Sequence, residues 1–450
     1  MLLDKVYKIC YNYAKFAEKG CIIMQFLTGD AECGVASPIG FTASGMLCGL
    51  RKGRTKNDTA LVFSQRPCSA AGMFTQNRAK AECVKVTQSH IADGRSQAII
   101  ANSGIANACT GQEGYNNAKR MAQAAASVLG IKAEDVIVCS TGVIGMQLPV
   151  EKIEENVGKL KEMLSKEGHK EARTAIMTTD THFKECAIQT EIGGKTVTIG
   201  TMCKGSGMIH INLGTMLSFV TTDCAISSAM LEKALRKSVA ATYNCVSIDG
   251  DTSTNDTLVI LANGMAGNKE ITSEGPDFDA FFQALNALNT EMAKKIAGDG
   301  EGASHLIECN VSGAKDVATA RALAKSVISS SLVKAAFFGK DANWGRILCA
   351  LGYSGQEFDP DKTSVTFVSR KGVLRHGATD VIGLQEGEEK SVMVFDHGVP
   401  LAFDEDLAKE ILSEAEVTIN VTMEDGSAYG TAWGCDLTYD YVKINGDYRT

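Results

Sequence analysis

The amino-acid sequence predicts a globular fold of mixed class, α/β or α+β, and three observations carry this prediction. From Gly40 onward, short apolar runs typical of strands alternate with longer segments of helical periodicity. Hydrophobic residues make up 44% and charged residues 22% of the 450 residues, the composition of an ordinary folded protein. Only six prolines occur, and no low-complexity tract interrupts the chain, so long disordered linkers are not expected.

The individual elements follow from local patterns. Residues 2–19 predict a short amphipathic helix that ends at Gly20, and we interpret residues 1–23 as an N-terminal extension ahead of a second plausible start at Met24. A proline at position 149 suits the first turn of a helix. The other predicted elements are strands at 60–64, 97–101 and 136–139, helices at 114–129, 150–165 and 276–297, a hairpin of 185–192 with 195–200, and strands at 416–422 and 436–444.

Charge and cysteine content restrict the class of protein. The net charge of −8 lacks the basic footprint of a nucleic-acid-binding protein, and no apolar run approaches the length of a membrane span. The fifteen cysteines are odd in number, form no C-x-x-C pair and follow no secretory signal. We therefore expect reduced thiols in a cytoplasmic protein, and no metal site.

Three glycine-containing motifs fail on inspection. Gly194-Lys195-Thr196 resembles the end of a phosphate-binding loop, but residue 189 is Gln where the first glycine belongs. The run GSGMIH at 205–210 lacks the last glycine of a dinucleotide fingerprint. The run DGDTSTNDT at 249–257 lacks the central glycine of a calcium loop.

The segment CKGSGMIHINLGTMLSFVTTD at 203–223 carries the chemistry. A Gly-Thr pair inside a strand usually marks a bulge or a close approach of two backbones. Alternatively, the hydroxyl of Thr215 attacks the carbonyl of Gly214, and an acyl shift with hydrolysis frees a new chain start. A free α-amine ordinarily has a pKa of about 7.7–8.0, so the new α-amine of Thr215 would act as a base beside its own hydroxyl.

This segment resembles the signature of the ornithine acetyltransferase family, the ArgJ family of bifunctional glutamate N-acetyltransferases in arginine biosynthesis, which self-process before Thr-Met-Leu. The resemblance runs in continuous order from Gly34 to Thr450. Its other blocks are STGVIG at 140–145, AIMTTDT at 175–181, SIDGDTSTNDT at 247–257, GDGEGA at 298–303, FGKDANWGRI at 338–347 and KINGDYRT at 443–450.

The resemblance implies an αββα sandwich shared with self-processing aminopeptidases. It implies cleavage into the halves 1–214, with the α chain at 24–214 after the extension, and 215–450, the β chain. The halves stay interleaved, so that the cut is not a domain boundary, and they form a heterotetramer of two α and two β chains. One departure concerns cleavage: the family usually has Pro-Asn-Met-Ala before the nucleophile, whereas residues 211–214 read Ile-Asn-Leu-Gly. Loss of the proline affects the turn that strains the bond, while glycine for alanine preserves the chemistry.

Residue roles follow from the same resemblance. Thr215 is the nucleophile, and Thr141 with the backbone N–H of Gly142 forms an oxyanion hole; otherwise Thr141 and Gly142 would be read as an ordinary turn after a strand. Lys204 is expected to bind the α-carboxylate of an amino acid, and Glu301 the side-chain ammonium of ornithine. The remaining expected substrate contacts are Thr178, Asn445 and Thr450, and loop-organising or Asx-turn roles fall to Asp249, Asp251, Asn255 and Asp256.

The reaction that the resemblance implies is ping-pong acetyl transfer from N-acetylornithine to glutamate with release of ornithine. It requires neither a metal nor a cofactor, and the sequence leaves open whether acetyl-CoA is also a donor. Three alternatives remain at this point: a self-processed aminopeptidase that transfers the acyl group to water, an inactive binding protein on the same fold, and a thiol enzyme suggested only by the cysteine count.

Overall fold

The structure, a computed structural model, describes residues 24–27, 33–210, 216–370 and 389–446. The predicted helix at 2–19 lies outside these residues. The strands of the described residues are β1 (Met24–Phe26), β2 (Phe41–Met46), β3 (Thr59–Phe74), β4 (Arg95–Asn102), β5 (Val136–Ser140), β6 (Lys184–Ile192), β7 (Lys195–Lys204), β8 (Ile209–His210), β9 (Leu217–Thr222), β10 (Ser247–Thr252), β11 (Thr257–Ala262), β12 (Leu306–Ala314), β13 (Ser364–Arg370), β14 (Glu389–Asp396), β15 (Val399–Pro400), β16 (Glu416–Thr422) and β17 (Ala428–Cys435).

Helices occur between these strands, so the mixed class predicted from the sequence is confirmed. The described α-helices are α1 (Glu82–His90), α2 (Gly111–Leu129), α3 (Val150–Glu162), α4 (His169–Ile176), α5 (Ser228–Ala241), α6 (Pro276–Gly298), α7 (Val317–Ser329), α8 (Ser331–Phe338), α9 (Trp344–Gly352), α10 (Glu405–Ile411) and α11 (Tyr439–Gly446). Within the described residues, no helix has the length and apolar character needed to cross a membrane.

The larger sheet contains strands that precede the predicted cleavage position and strands that follow it. Its strand order is β1-β6-β7-β9-β11-β3-β4-β5, with β2 paired to β3. Strand β7 pairs with β9 in antiparallel register, with Lys204 opposite Leu217, and β9 pairs with β11 in parallel. Strands that precede and follow the Gly214-Thr215 bond are therefore direct neighbours.

A second sheet and a short ladder complete the fold. The second sheet has the order β15-β14-β13-β16-β12-β17, and β8 pairs with β10. The apolar face of β12, with Ile307 and Val311, belongs to the same core cluster as Val220 of β9 and Ile260 of β11 in the larger sheet. The larger and the smaller sheet thus share one hydrophobic core.

Helix α6 shows how the sequence builds the site. Pro276 occupies its first turn, where a missing N–H is tolerated. Its stripe of Phe278, Phe281, Leu288 and Ile296 is buried, as the periodicity predicts, and packs with the core of both sheets. Because packing of this stripe fixes the helix along its length, the segment that begins at Asp299, just after its C-terminal end, has a defined position.

Most of the predicted elements are confirmed. The strand predictions at 60–64, 97–101, 136–139 and 416–422, the hairpin, and the helices at 114–129, 150–165 and 276–297 coincide with β3, β4, β5, β16, β6–β7, α2, α3 and α6, although α3 ends at Glu162.

The predicted strand at 436–444 is wrong. Strand β17 ends at Cys435, and the Asp436 carboxylate accepts hydrogen bonds from the backbone N–H groups of Ser304, at 2.8 Å, and His305, at 3.0 Å. The chain then forms helix α11, which leaves Tyr439 and Val442 exposed. The apolar residues that led us to predict a half-buried strand therefore lie on the exposed surface of a helix.

Candidate active site

The predicted oxyanion hole lies at a tight turn after β5, which we call the Gly142 turn (residues 141–145). The backbone N–H of Thr141 donates to the carbonyl oxygen of Asn102 at 3.0 Å, and that of Val143 donates to the carbonyl oxygen of Gly104 at 3.2 Å. The turn therefore lies along the loop that follows β4.

Only glycine fits at position 142. Its φ of +131° lies in the region that side chains disfavour. A β-carbon there would lie 2.2 Å from the carbonyl carbon of Gly104, which is backbone and cannot rotate away. The close approach of the two backbones fixes the direction of the peptide groups on both sides of Gly142.

Two buried asparagines hold these loops together. The side-chain amide of Asn102 donates to the carbonyl oxygen of Ile105 at 2.9 Å, and its oxygen accepts from the Ser140 hydroxyl at 2.7 Å. The side-chain amide of Asn255 donates to the carbonyl oxygens of Ala106, at 2.5 Å, and Ser140, at 2.8 Å. Asn255, one of the predicted loop-organising residues, thus bridges β5 and the loop after β4.

A carboxylate that was not predicted, Asp180, joins the chain segments of the predicted substrate contacts Thr178 and Lys204. One oxygen of Asp180 accepts from the backbone N–H of Thr178 at 3.1 Å, and the other accepts from the backbone N–H of Gly205 at 2.7 Å. Asp180 therefore connects the end of α4 with the end of β7. Lys204, the last residue of β7, is 7% exposed.

Asp180 belongs to what we call the buried charge cluster, formed by Asp180, Lys184, Lys204 and Asp299. The Lys184 ammonium donates to Asp180 at 2.7 Å and also to Asp299. Burial alone would raise the pKa of Asp180, but the ammonium groups of Lys184 and Lys204 outweigh it and hold that pKa below its usual range. Burial likewise disfavours charged Lys184, yet the two carboxylates raise its pKa.

Glu301 stands next to this cluster at the end of α6. Its backbone N–H donates to the carbonyl oxygen of Ser206 at 2.8 Å. Its carboxylate accepts from the side-chain amide of Asn445 at 2.7 Å. A β-carbon on Gly207 would lie 2.3 Å from that carboxyl group, so glycine at 207 makes room for it. The structure thereby joins two predicted substrate contacts, Glu301 and Asn445, from distant parts of the chain.

An arginine connects the two halves of the site. The Arg54 guanidinium donates to the Ser103 hydroxyl at 2.7 Å and to the carbonyl oxygen of Met177 at 2.8 Å. Ser103 precedes Gly104, which contacts the Gly142 turn, and Met177 precedes Thr178. The Gly142 turn and the buried charge cluster are thus linked through the end of α4.

The β8–β10 ladder leads toward the predicted cleavage position. The Asp249 carboxylate accepts from the backbone N–H groups of Met208, at 2.5 Å, and Ile209, at 2.8 Å. It also accepts from Asp251 N–H at 3.1 Å, so Asp249 combines an Asx-turn with the loop-organising role. Burial, followed by the charge of Lys325, lowers the pKa of His210 to about 4.

Cysteines near the site have the wrong chemistry for a nucleophile. Cys203 adjoins Lys204 and is 2% exposed, and burial raises its pKa to about 12. Burial also raises the pKa of Cys435. Both are therefore protonated thiols at neutral pH, which argues against the thiol enzyme. Within the described ranges, no group of three or more His, Cys, Asp and Glu side chains is arranged to hold a metal ion.

Three predicted residues, Gly214, Thr215 and Thr450, lie outside the described residues. Sequence reasoning missed Arg54, Asp180, Lys184, Ser206 and Asp299. The Ser206 hydroxyl is buried and, among the described atoms, has no hydrogen-bond partner. Asp180 and Asp299 stand inside matched blocks. Lys184 is only four residues from Asp180, but its pairing with Asp299 joins segments 115 residues apart and leaves no local signal.

Comparison with known proteins agrees with this arrangement of motifs. Residues 42–450 match the model of the ArgJ family. The chain is 48% identical over 427 residues to the arginine biosynthesis bifunctional protein ArgJ of Caldanaerobacter subterraneus, covering 95% of this chain and 100% of that protein. It is 45% identical over 425 residues to the ArgJ protein of Bacillus subtilis, covering 94% and 97% of the two chains.

Solved structures with related sequences each match about half of the chain. The Bacillus halodurans ArgJ crystal structure is 41% identical, covers 51% of this chain and 97% of that one, and gives a TM-score of 0.44. The ornithine acetyltransferase of Mycobacterium tuberculosis in complex with ornithine is 36% identical, covers 43% and 100%, and gives a TM-score of 0.39. The family model matches most of the chain, and the ArgJ proteins are 45–48% identical to it over nearly its full length. The chain therefore belongs to the ArgJ family and is an acyltransferase of arginine biosynthesis.

Proposed function

We propose that this chain transfers the acetyl group of N2-acetylornithine to glutamate through an acetyl ester on Thr215. The observation that carries the proposal is that a cationic and an anionic residue, Lys204 and Glu301, adjoin one short segment, residues 205–207. Lys204 directly precedes this segment. The backbone N–H of Glu301 donates to the carbonyl oxygen of Ser206, and the Glu301 carboxylate lies against Gly207. A cation and an anion in this order suit an amino acid with an α-carboxylate and a side-chain ammonium.

The proposed chemistry begins with self-cleavage between Gly214 and Thr215. The cut yields residues 1–214, which are the extension at 1–23 followed by the α chain at 24–214, and the β chain at 215–450. The Thr215 hydroxyl then attacks the acetyl carbonyl, and its own α-amine takes the proton. Thr141 and the Gly142 N–H stabilise the oxyanion, and the α-amine of ornithine leaves with the proton. The amine of glutamate attacks the ester in the second half-reaction and restores the free hydroxyl.

Further parts of the proposal concern the partners and the setting. Thr178, Asn445 and Thr450 contribute substrate contacts, no cofactor takes part, and acetyl-CoA serves as a second acetyl donor, as the word bifunctional in the relatives' names suggests. The cleaved chains assemble as a heterotetramer of two α and two β chains in the cytoplasm. These statements rest on family membership.

The test is an assay of purified protein with N-acetylornithine plus glutamate and, separately, with acetyl-CoA plus glutamate. Wild type should form N-acetylglutamate, run as two fragments and show Thr-Met-Leu-Ser at the start of the second fragment. Without an acceptor, N-acetylornithine should add one acetyl group to the fragment that begins at Thr215.

Two variants of the nucleophile sharpen this test. Thr215→Ala should remain one inactive chain, while Thr215→Ser retains a hydroxyl and should still self-cleave. An acetyl group on a cysteine, or an intact wild-type chain with full activity, would contradict the mechanism. Release of acetate to water without transfer to glutamate would favour the hydrolase.

A further inference from the structure

We infer that Lys184 is a positioning residue for acetyl transfer: its ammonium holds Asp180 and Asp299 so that Lys204 stays available to the carboxylate of the amino-acid substrate. The inference rests on the proposed function and extends it to a residue that does not itself bind substrate. It is carried by the geometry of the buried charge cluster.

Burial marks Lys184 as unusual. Its side chain and that of Asp180 are each 1% exposed, and that of Asp299 is 5% exposed. Taking an ammonium out of water is costly, and buried ion pairs are weak contributors to stability compared with apolar residues of similar size. A fully buried lysine between two carboxylates therefore indicates a positional role.

The two carboxylates that Lys184 holds organise the backbone of the site. Asp180 accepts from the N–H groups of Thr178 and Gly205, the residue after Lys204. Asp299 accepts from the backbone N–H groups of Thr181, at 3.1 Å, and His182, at 3.3 Å. Through these contacts, one ammonium fixes the segment after α4, the end of β7 and the end of α6 relative to one another.

Electrostatic competition gives Lys184 its effect on substrate binding. Lys184 and Lys204 both act on Asp180, but the hydrogen bond at 2.7 Å comes from Lys184. If Lys184 were neutral, Lys204 would be the remaining ammonium beside Asp180. An ion pair between Lys204 and Asp180 would then compete with the carboxylates of N-acetylornithine and glutamate.

The same contacts extend to the opposite end of the substrate. Asp299 is two residues before Glu301, and Glu301 N–H is bound to the carbonyl of Ser206, next to Gly205. A shift of Asp299 would therefore move the carboxylate of Glu301 relative to Lys204. Lys184 thus sets the distance between the two charges that are proposed to bind ornithine.

The experiment compares two paired substitutions that each remove one positive and one negative charge. Lys184→Met with Asp299→Asn removes one ammonium and one carboxylate together, so that Asp180 and Lys204 remain and the cluster stays balanced in charge. Removal of Lys184 alone would leave a buried carboxylate in excess and would be strongly destabilising. Lys294→Met with Glu308→Gln removes a pair at 2.8 Å between α6 and β12 and is the matched control. We expect the first double variant to raise KM for N-acetylornithine and for glutamate about tenfold with a smaller change in kcat.

The control should leave both constants near wild type, and its melting temperature shows what loss of an ion pair alone does. Unchanged KM values in a folded Lys184→Met/Asp299→Asn enzyme, or a fall in kcat alone, would overturn the inference. If that variant does not fold, Asp299→Asn is measured instead. Lys184 then still holds Asp180, so a tenfold rise in KM for glutamate, which has no side-chain ammonium for Glu301, would contradict the competition with Lys204.

Binding of ornithine, measured by calorimetry, separates this inference from the proposed function. A wild-type protein that binds ornithine but transfers no acetyl group would contradict the proposed function alone. Equal ornithine affinity in wild type and in Lys184→Met/Asp299→Asn would contradict the role of Lys184 alone.

Discussion

The two halves of the candidate site are held in place by different forces. The Gly142 turn is fixed by backbone hydrogen bonds and by a contact that excludes a β-carbon. The buried charge cluster is fixed by ion pairs among side chains that are almost fully excluded from water. A steric contact does not change with pH, whereas an ion pair depends on protonation. The comparison therefore predicts that the two halves fail under different perturbations.

The largest effect is expected for Gly142→Ala. The added methyl group meets the backbone of Gly104, and φ of +131° is strained for alanine. We expect a loss of about 2–6 kcal/mol in the free energy of unfolding, the sum of a strained backbone and an overpacked contact. Thermal unfolding of the purified variant measures it, together with the loss of acetyl transfer.

Gly145→Ala is the matched control in the same turn. Gly145 also has a positive φ, of +82°, but no atom lies within 4 Å of the position its β-carbon would take. This variant should lose only about 1–2 kcal/mol, the cost of a left-handed conformation. Equal losses at 142 and 145 would mean that the contact with Gly104 does not hold the turn.

A smaller effect is expected for Gly207→Ala, which introduces a steric change into the charged half. The methyl group would displace the Glu301 carboxylate, while the Glu301 N–H stays bound to Ser206. Because a displacement of about 1 Å can lower a rate on the order of 10²-fold, kcat/KM for N-acetylornithine should fall at least tenfold. Steady-state kinetics and thermal unfolding measure the two consequences separately.

Gly158→Ala in α3 is the control for Gly207→Ala. No atom lies within 4 Å of the position that its β-carbon would take, so activity should be unchanged. The free energy of unfolding should rise by about 0.5–1 kcal/mol, because alanine favours a helix more than glycine does. If Gly207→Ala kept wild-type kinetics, the position of the Glu301 carboxylate would be irrelevant to catalysis.

The same contrast explains what the sequence could predict. Thr141 and Gly142 follow a buried strand, and α6 has a clear apolar stripe, so local pattern locates them. The pairing of Lys184 with Asp299 depends on tertiary structure and carries no periodicity. The strand predicted at 436–444 is wrong because Tyr439 and Val442 have strand propensity but remain exposed on helix α11. Elements with a period are predictable, whereas a buried charge is recognisable only with its partner.

The smallest predicted effect concerns acid stability. Since the charges of Lys184 and Lys204 lower the pKa of Asp180, the contribution of this carboxylate to stability persists above its ordinary pKa of 3.8 and is lost only as the pH falls below that value. His210, whose Nδ1 lies 2.9 Å from the Ser247 hydroxyl, should respond earlier. Its pKa falls from an ordinary value of 6.5 to about 4.

In this window the unfolded chain binds a proton at residue 210 that the folded chain does not. The contribution of neutral His210 to the free energy of unfolding is therefore complete above pH 6.5 and declines as the pH falls toward 4. We expect the melting temperature of wild type to decrease over this range, and His210→Gln to decrease less steeply. His397→Gln is the control of opposite sign, because hydrogen bonding to Asp396 raises the pKa of His397 and makes it stabilising at low pH. Parallel slopes for wild type and His210→Gln would show that protonation of His210 does not weaken the β8–β10 ladder.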